Sequence, residues 1–147
     1  MTHSRRLDNT ARLYLDSNIV IYYIQGEAGW QRRADSLLAD ALARGIELIV
    51  NEIVVCECLY GAYRLGRPDV EAAYRSLFFE SGLLTVVPVD FHLLDTAARL
   101  GAAQGLKLLD ASHYCSAINF GCECLATNDT KFASSEELRV IQLRDDD

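Results

Sequence analysis

The 147-residue sequence holds only two prolines and nine glycines, beside 50% hydrophobic residues. That excludes a collagen-like, low-complexity or disordered chain. Long hydrophobic runs are missing as well. The uncharged stretches 17–26 and 111–122 fall short of the roughly 18 apolar residues a membrane span needs. Residues 1–10 are polar and lack the apolar segment of a secretory signal, so the expectation is a soluble, cytoplasmic protein with no membrane contact. Positive charge is scarce: 14 Lys and Arg against 21 Asp and Glu leave −7. Coating of duplex nucleic acid runs on Lys and Arg, so the balance argues against it, though not against an enzyme that meets nucleic acid through a bound cation.

Five cysteines is an odd number, and a disulfide framework is not expected. Cys56-Glu57-Cys58 and Cys122-Glu123-Cys124 have one intervening residue, where zinc clips favour two to four. They are read as buried, reduced thiols acting as small hydrophobes. A G-x-x-x-x-G-K-[ST] phosphate loop, a G-x-G-x-x-G turn and a G-x-S-x-G nucleophile elbow are all absent from the sequence.

What remains is an alternation of strand and helix patterns. Strands are expected at residues 11–15 (ARLYL), 46–50 (IELIV), 84–87, 122–126 and 138–143 (LRVIQL). Helices are expected at 19–24 behind Asp16-Ser17-Asn18, at 31–43, from Asn51 to about 65, at 69–80, around 93–100 and from Asp110 to 119, with one more turn at Glu136–Glu137. This predicts one α/β domain over residues 1–147, a three-layer α/β/α sandwich with a mainly parallel, twisted sheet. Residues 1–10 read as a polar arm and 144–147 as an acidic, solvated tail.

Ligands of parallel sheets bind outside the carboxyl ends of the strands. Asp16 follows the first strand and Asp129 the fourth, Glu57 lies in the helix after the second, and Asp110 heads the helix before the fourth. Each alone has an ordinary use: helix caps for Asp16 and Asp110, a turn for Asp129, a solvated face for Glu57. Glu57, however, sits inside the apolar run Ile53-Val54-Val55-Cys56, where an unpaired carboxylate is costly. Clustered acids repel unless a proton or cation intervenes, and an all-oxygen set suits Mg²⁺ or Mn²⁺.

Leu15-Asp16-Ser17-Asn18, Glu57-Cys58-Leu59-Tyr60-Gly61, Leu109-Asp110-Ala111-Ser112 and Thr127-Asn128-Asp129 with Phe132 occur in this order. Together they resemble the motifs of PIN-domain ribonucleases, and among these the toxins of VapBC-type toxin–antitoxin pairs, over nearly the whole chain. Cys58 stands where that family usually has an aliphatic residue. The resemblance implies a Mg²⁺- or Mn²⁺-dependent endoribonuclease whose catalytic, metal-holding acids are Asp16, Glu57, Asp110 and Asp129. Ser17, Asn18, Thr127 and Asn128 are implied as supporting residues that orient carboxylates or touch substrate. It also implies an antitoxin partner and a homodimer. Tyr60, Tyr63, Tyr74, Phe78 and Phe79 carry more aromatics than one helical stripe needs, which favours such an interface. Glu123 is placed at the wrong end of the fourth strand to join the acids.

His113, one turn after Asp110, is open to two readings, a structural residue or a proton shuttle; His3 and His92 have no supporting context. The competing functions are a catalytically silent scaffold that binds RNA or protein, and a metal-dependent nuclease acting on DNA. From sequence, Asp16→Asn is expected to abolish cleavage and, by relieving carboxylate repulsion, to raise the melting temperature of the metal-free protein.

Overall fold

In a computed structural model that describes residues 5–145, Arg12–Leu15 forms strand β1, and Leu13, Tyr14 and Leu15 are fully buried. Side chains alternate faces along a strand, so burial of three in succession means that both faces of the sheet are covered. The chain continues through α1 (Ser17–Gln25), α2 (Ala28–Ala43), β2 (Glu47–Asn51), α3 (Glu52–Leu65) and α4 (Pro68–Arg75). Then come β3 (Leu84–Val87), α5 (Phe91–Gln104), α6 (Leu108–Asn119), β4 (Cys124–Thr127) and β5 (Arg139–Gln142).

The five strands are all parallel, in the order β3-β2-β1-β4-β5. From β1 the sheet grows first toward β2 and β3, then resumes on the other side with β4 and β5. The reversal lies between β1 and β4, the kind of switch point where a crevice opens outside the strand ends. The register pairs Leu15 with Ala126, so Asp16 and Thr127 leave the sheet side by side. The Asp16 N–H donates to the Ala126 carbonyl at 3.0 Å and fixes that alignment.

Caps and stops follow the chemistry of the sequence. Asp16, Asn51 and Asp90 cap α1, α3 and α5 with their side chains, and Gly66 and Gly105 end α3 and α5 in left-handed conformation. A small apolar cluster of Leu93, Ala97, Ala111 and Cys115 joins α5 to α6.

Several expectations are corrected. α6 begins at Leu108 behind Lys107, so Asp110 is no cap; it lies inside the first turn, where a negative charge complements the helix N-terminus. Residues 76–80 continue α4 as a π-helix, closed by the Ser81 N–H on the Ser76 carbonyl at 2.9 Å. The wider turn keeps Leu77 and Phe78 inside and leaves Phe79 exposed. Of the aromatics read as an interface, Tyr74 and Phe78 stack within the core, whereas Tyr60, Tyr63 and Phe79 are exposed. Glu136–Glu137 forms no helical turn: Ser134 and Ser135 hydroxyls accept the N–H groups of Val140 and Leu138 and hold the segment as a loop.

Leu7, inside the stretch read as a polar arm, is 1% exposed, and Asp8 pairs with Arg44 at 3.0 Å. Four cysteines are buried and Cys56 is exposed; all five are free. Residues 1–4, with His3, and residues 146–147 of the acidic tail lie outside the described residues. No helix among the described residues is long and apolar enough to cross a membrane.

Candidate active site at the β1–β4 switch point

Asp16 is 5% exposed at the carboxyl end of β1. A carboxylate so placed needs donors, and it has them. Oδ1 accepts the Ser17 N–H at 2.8 Å; Oδ2 accepts the Thr127 hydroxyl at 2.7 Å and the Asn18 amide at 3.3 Å. Thr127, at the end of β4, spends its one proton on Asp16 and accepts from the Asp129 N–H at 3.0 Å. Asn18 Oδ1 accepts the Asn128 N–H at 3.1 Å. Two tripeptides far apart in sequence, Asp16-Ser17-Asn18 and Thr127-Asn128-Asp129, are thus sewn together across the switch point.

Asn128 is tied outward too. Its amide donates to the Tyr22 hydroxyl at 3.3 Å, and Oδ1 accepts from Arg144 Nε at 3.2 Å. Asp129, half-buried, turns Oδ1 to the Lys131 N–H at 2.9 Å.

The other half of the site comes from α3 and α6. Asn51 ends β2 fully buried; its Oδ1 accepts the Val54 N–H and its Nδ2 donates to Ser116 Oγ, each at 3.0 Å. One side chain thereby caps α3 and fastens it to α6. With the helices locked, Glu57 and His113 meet: His113 Nε2 lies 2.9 Å from Glu57 Oε1 and 3.8 Å from Asp16 Oδ1. His113 Nδ1 is 2.9 Å from the Tyr14 hydroxyl. His113 is 1% exposed, and the Glu57 side chain is 34% exposed, so the imidazole forms the inner wall and the carboxylate the outer. The sequence marked His113 only by its place one turn after Asp110; its partner is 56 residues away.

Asp110 completes the electrostatics. Burial pushes its carboxyl above the ordinary value, the charges of Asp129 and then Asp16 push the same way, and Lys131 opposes them. Asp110 therefore senses both of those acids at once. Glu123 is elsewhere: its Oε1 accepts the Ala11 and Arg12 N–H groups at 2.9 Å, at the start of β1. Burial raises that carboxyl, but the backbone donors outweigh it and hold it below the ordinary range.

Among the described residues, no three His, Cys, Asp or Glu side chains stand together as a ready ion-binding group. The donor set is nonetheless one for a hard cation. Mg²⁺ commonly takes one or two carboxylates directly and keeps several waters, so it needs no closed protein cage. Beside Glu57 and Ser17 opens a groove of about 750 Å³, walled by Ile21, Ile53, Tyr60, Val89 and Leu109.

Solved structures share this fold. A toxin–antitoxin complex from Klebsiella pneumoniae superposes with a TM-score of 0.69 at 21% identity, covering 89% of this chain and 97% of that one. VapBC2 from Rickettsia felis, bound to a DNA fragment from its promoter, gives 0.65 at 17%, covering 89% and 98%. Mycobacterium tuberculosis VapC20, a Sarcin-Ricin loop cleaving toxin, gives 0.66 at 14%, covering 77% and 86%. No curated protein matches the sequence. Residues 13–138 match the family model of the PIN domain, and with everything from the second residue of β1 to the loop before β5 inside that match, the chain belongs to the PIN domain family.

Proposed function

We propose that the protein is a Mg²⁺- or Mn²⁺-dependent endoribonuclease and the toxin of a toxin–antitoxin pair, with Asp16, Glu57, Asp110 and Asp129 as its catalytic, metal-holding acids. The observation that carries this reading is that Glu57 and Asp16 flank His113 Nε2 at 2.9 and 3.8 Å, while Asp110 is raised by burial and by the charges of Asp129 and Asp16.

When bound, a divalent cation offsets the charge opposing an incoming phosphate and polarises its oxygens. The chain's own part is to hold the acids in place. Thr127 and the Ser17 N–H fix Asp16, while Asn18 and Asn128 tie the two loops into one rigid floor. The Thr127 hydroxyl donates to Asp16 at 2.7 Å and the Ser17 hydroxyl donates to the same carboxylate at 3.5 Å, so both serve as orienting groups, not nucleophiles.

The toxin assignment is supported by the toxin–antitoxin complexes that share the fold. An antitoxin segment that lays an Arg guanidinium on these carboxylates would pair bidentately and displace the cation. Exposed Tyr60, Tyr63 and Phe79 favour a homodimer built on the α3 side. A silent scaffold is disfavoured because none of the four acids is missing.

The test is cleavage of single-stranded RNA and single-stranded DNA of the same sequence, with Mn²⁺ and with chelator. Cleavage of RNA alone, lost with chelator, is the expected result. Cleavage of DNA alone would favour the DNA nuclease, and no cleavage of either would favour the scaffold.

A further inference from the structure

The inner wall of the acid site is a buried chain of three side chains, Tyr14, His113 and Glu57, and its hydrogen bonds have a direction. A carboxylate only accepts, so the 2.9 Å contact to Glu57 Oε1 requires a proton on His113 Nε2. At the far end, the Tyr14 phenol, ordinarily titrating near about 10, keeps its O–H proton at neutral pH. Tyr14 is 0% exposed, and His113 Nδ1 at 2.9 Å is the acceptor beside its hydroxyl. A buried O–H without an acceptor is costly, so Tyr14 donates and Nδ1 is the bare nitrogen. Both ends assign the same tautomer, a neutral imidazole with its proton on Nε2.

The nitrogen that carries this proton lies between two acids, 2.9 Å from Glu57 Oε1 and 3.8 Å from Asp16 Oδ1. It fixes Oε1 of Glu57 and leaves Oε2 unclaimed on a side chain that is one-third exposed toward the groove. Glu57 stands on a helix surface, where a long side chain otherwise samples several rotamers. A carboxylate that serves a cation gains from a fixed donor on its second oxygen, and removal of such partners typically costs about 10–100-fold in metal affinity.

Resting on the metal-dependent reading above, we propose that His113 is a positioning residue: the Tyr14 hydroxyl fixes its proton on Nε2, and through that proton it holds the Glu57 carboxylate in the orientation that serves the divalent cation. His113 then touches neither substrate nor metal, and the relay Tyr14–His113–Glu57 is a built-in part of the cation site.

The experiment is Mn²⁺ binding to the metal-free full chain, read as free Mn²⁺ by electron paramagnetic resonance, with melting temperature recorded beside it. His113→Leu keeps the bulk and removes the donor, and is expected to weaken Mn²⁺ binding by about 10–100-fold. His113→Gln returns an amide N–H where Nε2 stood and is expected to recover most of the affinity. Tyr14→Phe removes one oxygen, frees Nδ1 to take the proton, and is expected to weaken Mn²⁺ as His113→Leu does; imidazole ¹⁵N shifts should show the tautomer change. A residue that only fills space gives the opposite order, with His113→Gln disruptive and Tyr14→Phe neutral for Mn²⁺. Unchanged Mn²⁺ affinity in a folded His113→Leu, or in Tyr14→Phe should the leucine variant not fold, overturns the relay. Loss of Mn²⁺ in Asp110→Asn alongside that result leaves the metal site standing. No Mn²⁺ binding by the wild type overturns both.

Discussion

Asp16→Asn is expected to abolish RNA cleavage and to lower, not raise, the melting temperature of the metal-free protein. The sequence alone suggested a gain from removing one of several crowded charges. The hydrogen bonds reverse the sign. Oδ1 accepts from the Ser17 N–H and Oδ2 from the Thr127 hydroxyl and the Asn18 amide. Thr127 accepts from the Asp129 N–H, and its single proton already points at Asp16. An asparagine must set its NH₂ against one of these donors, whichever way it turns. A buried donor left without an acceptor costs about 1–3 kcal/mol, on the order of 2–12 °C in melting temperature for a chain of this size. Calorimetry in chelator, paired with an RNA cleavage assay, checks both halves. A metal-free variant that melts higher than wild type would show that repulsion at Asp16 outweighs its donors.

The stabilising substitution is Asp110→Asn. Asp110 is raised by burial and then by Asp129 and Asp16, and it lies past the cap position of α6, so no capping bond is lost. Its folded carboxyl titrates above the ordinary value of 3.8, so the folded state binds this proton more tightly than the unfolded one. Stability from this group is fully present below the unfolded value and is lost as pH rises through the raised one. In metal-free protein at pH 7, Asp110→Asn should therefore melt above wild type. The advantage should vanish as pH falls below the ordinary value of 3.8, where Asp110 is protonated in the folded and unfolded states alike. Cleavage should be lost at every pH. An equal advantage at both pH values would place the effect in packing, not in charge.

The contrast between these two acids marks where the sequence stops being informative. That β1 is central, with the switch point beside it, is visible only in the strand order. The alternation of strands and helices already placed both acids at one edge of the sheet, Asp16 after the first strand and Asp110 at the head of the helix before the fourth. The Thr127-Asn128-Asp129 turn was legible for the same reason. What a carboxylate accepts is set by neighbours across the sheet, and the Thr127 proton that decides Asp16 comes from a residue 111 positions away. His113 shows the same limit: its helix was clear, but whether it met core or carboxylate depended on Asn51 locking α3 to α6. The aromatics failed on helix phase. A π-turn at residues 76–80 turned Phe78 inward and left Phe79 outside, and a count of aromatics per stripe carries no such phase. Leu7 failed through context, because one apolar residue in a polar stretch gives no periodicity to read.

The central claim is that Asp16, Glu57, Asp110 and Asp129 form one cation site at the carboxyl ends of β1 and β4. Substoichiometric Mn²⁺ added to metal-free, ¹⁵N-labelled protein tests it most directly, because paramagnetic broadening falls steeply with distance. From Arg12, at the start of β1, to Asp16, just past its end, the extended chain spans roughly 13 Å, enough to separate the two ends. The amide signals of Asp16, Ser17, Glu57, Asp110 and Asp129 should fade first and together, with Ala11, Arg12 and Glu123 well behind. Strongest loss around Glu123, or uniform loss without a centre, would contradict the account.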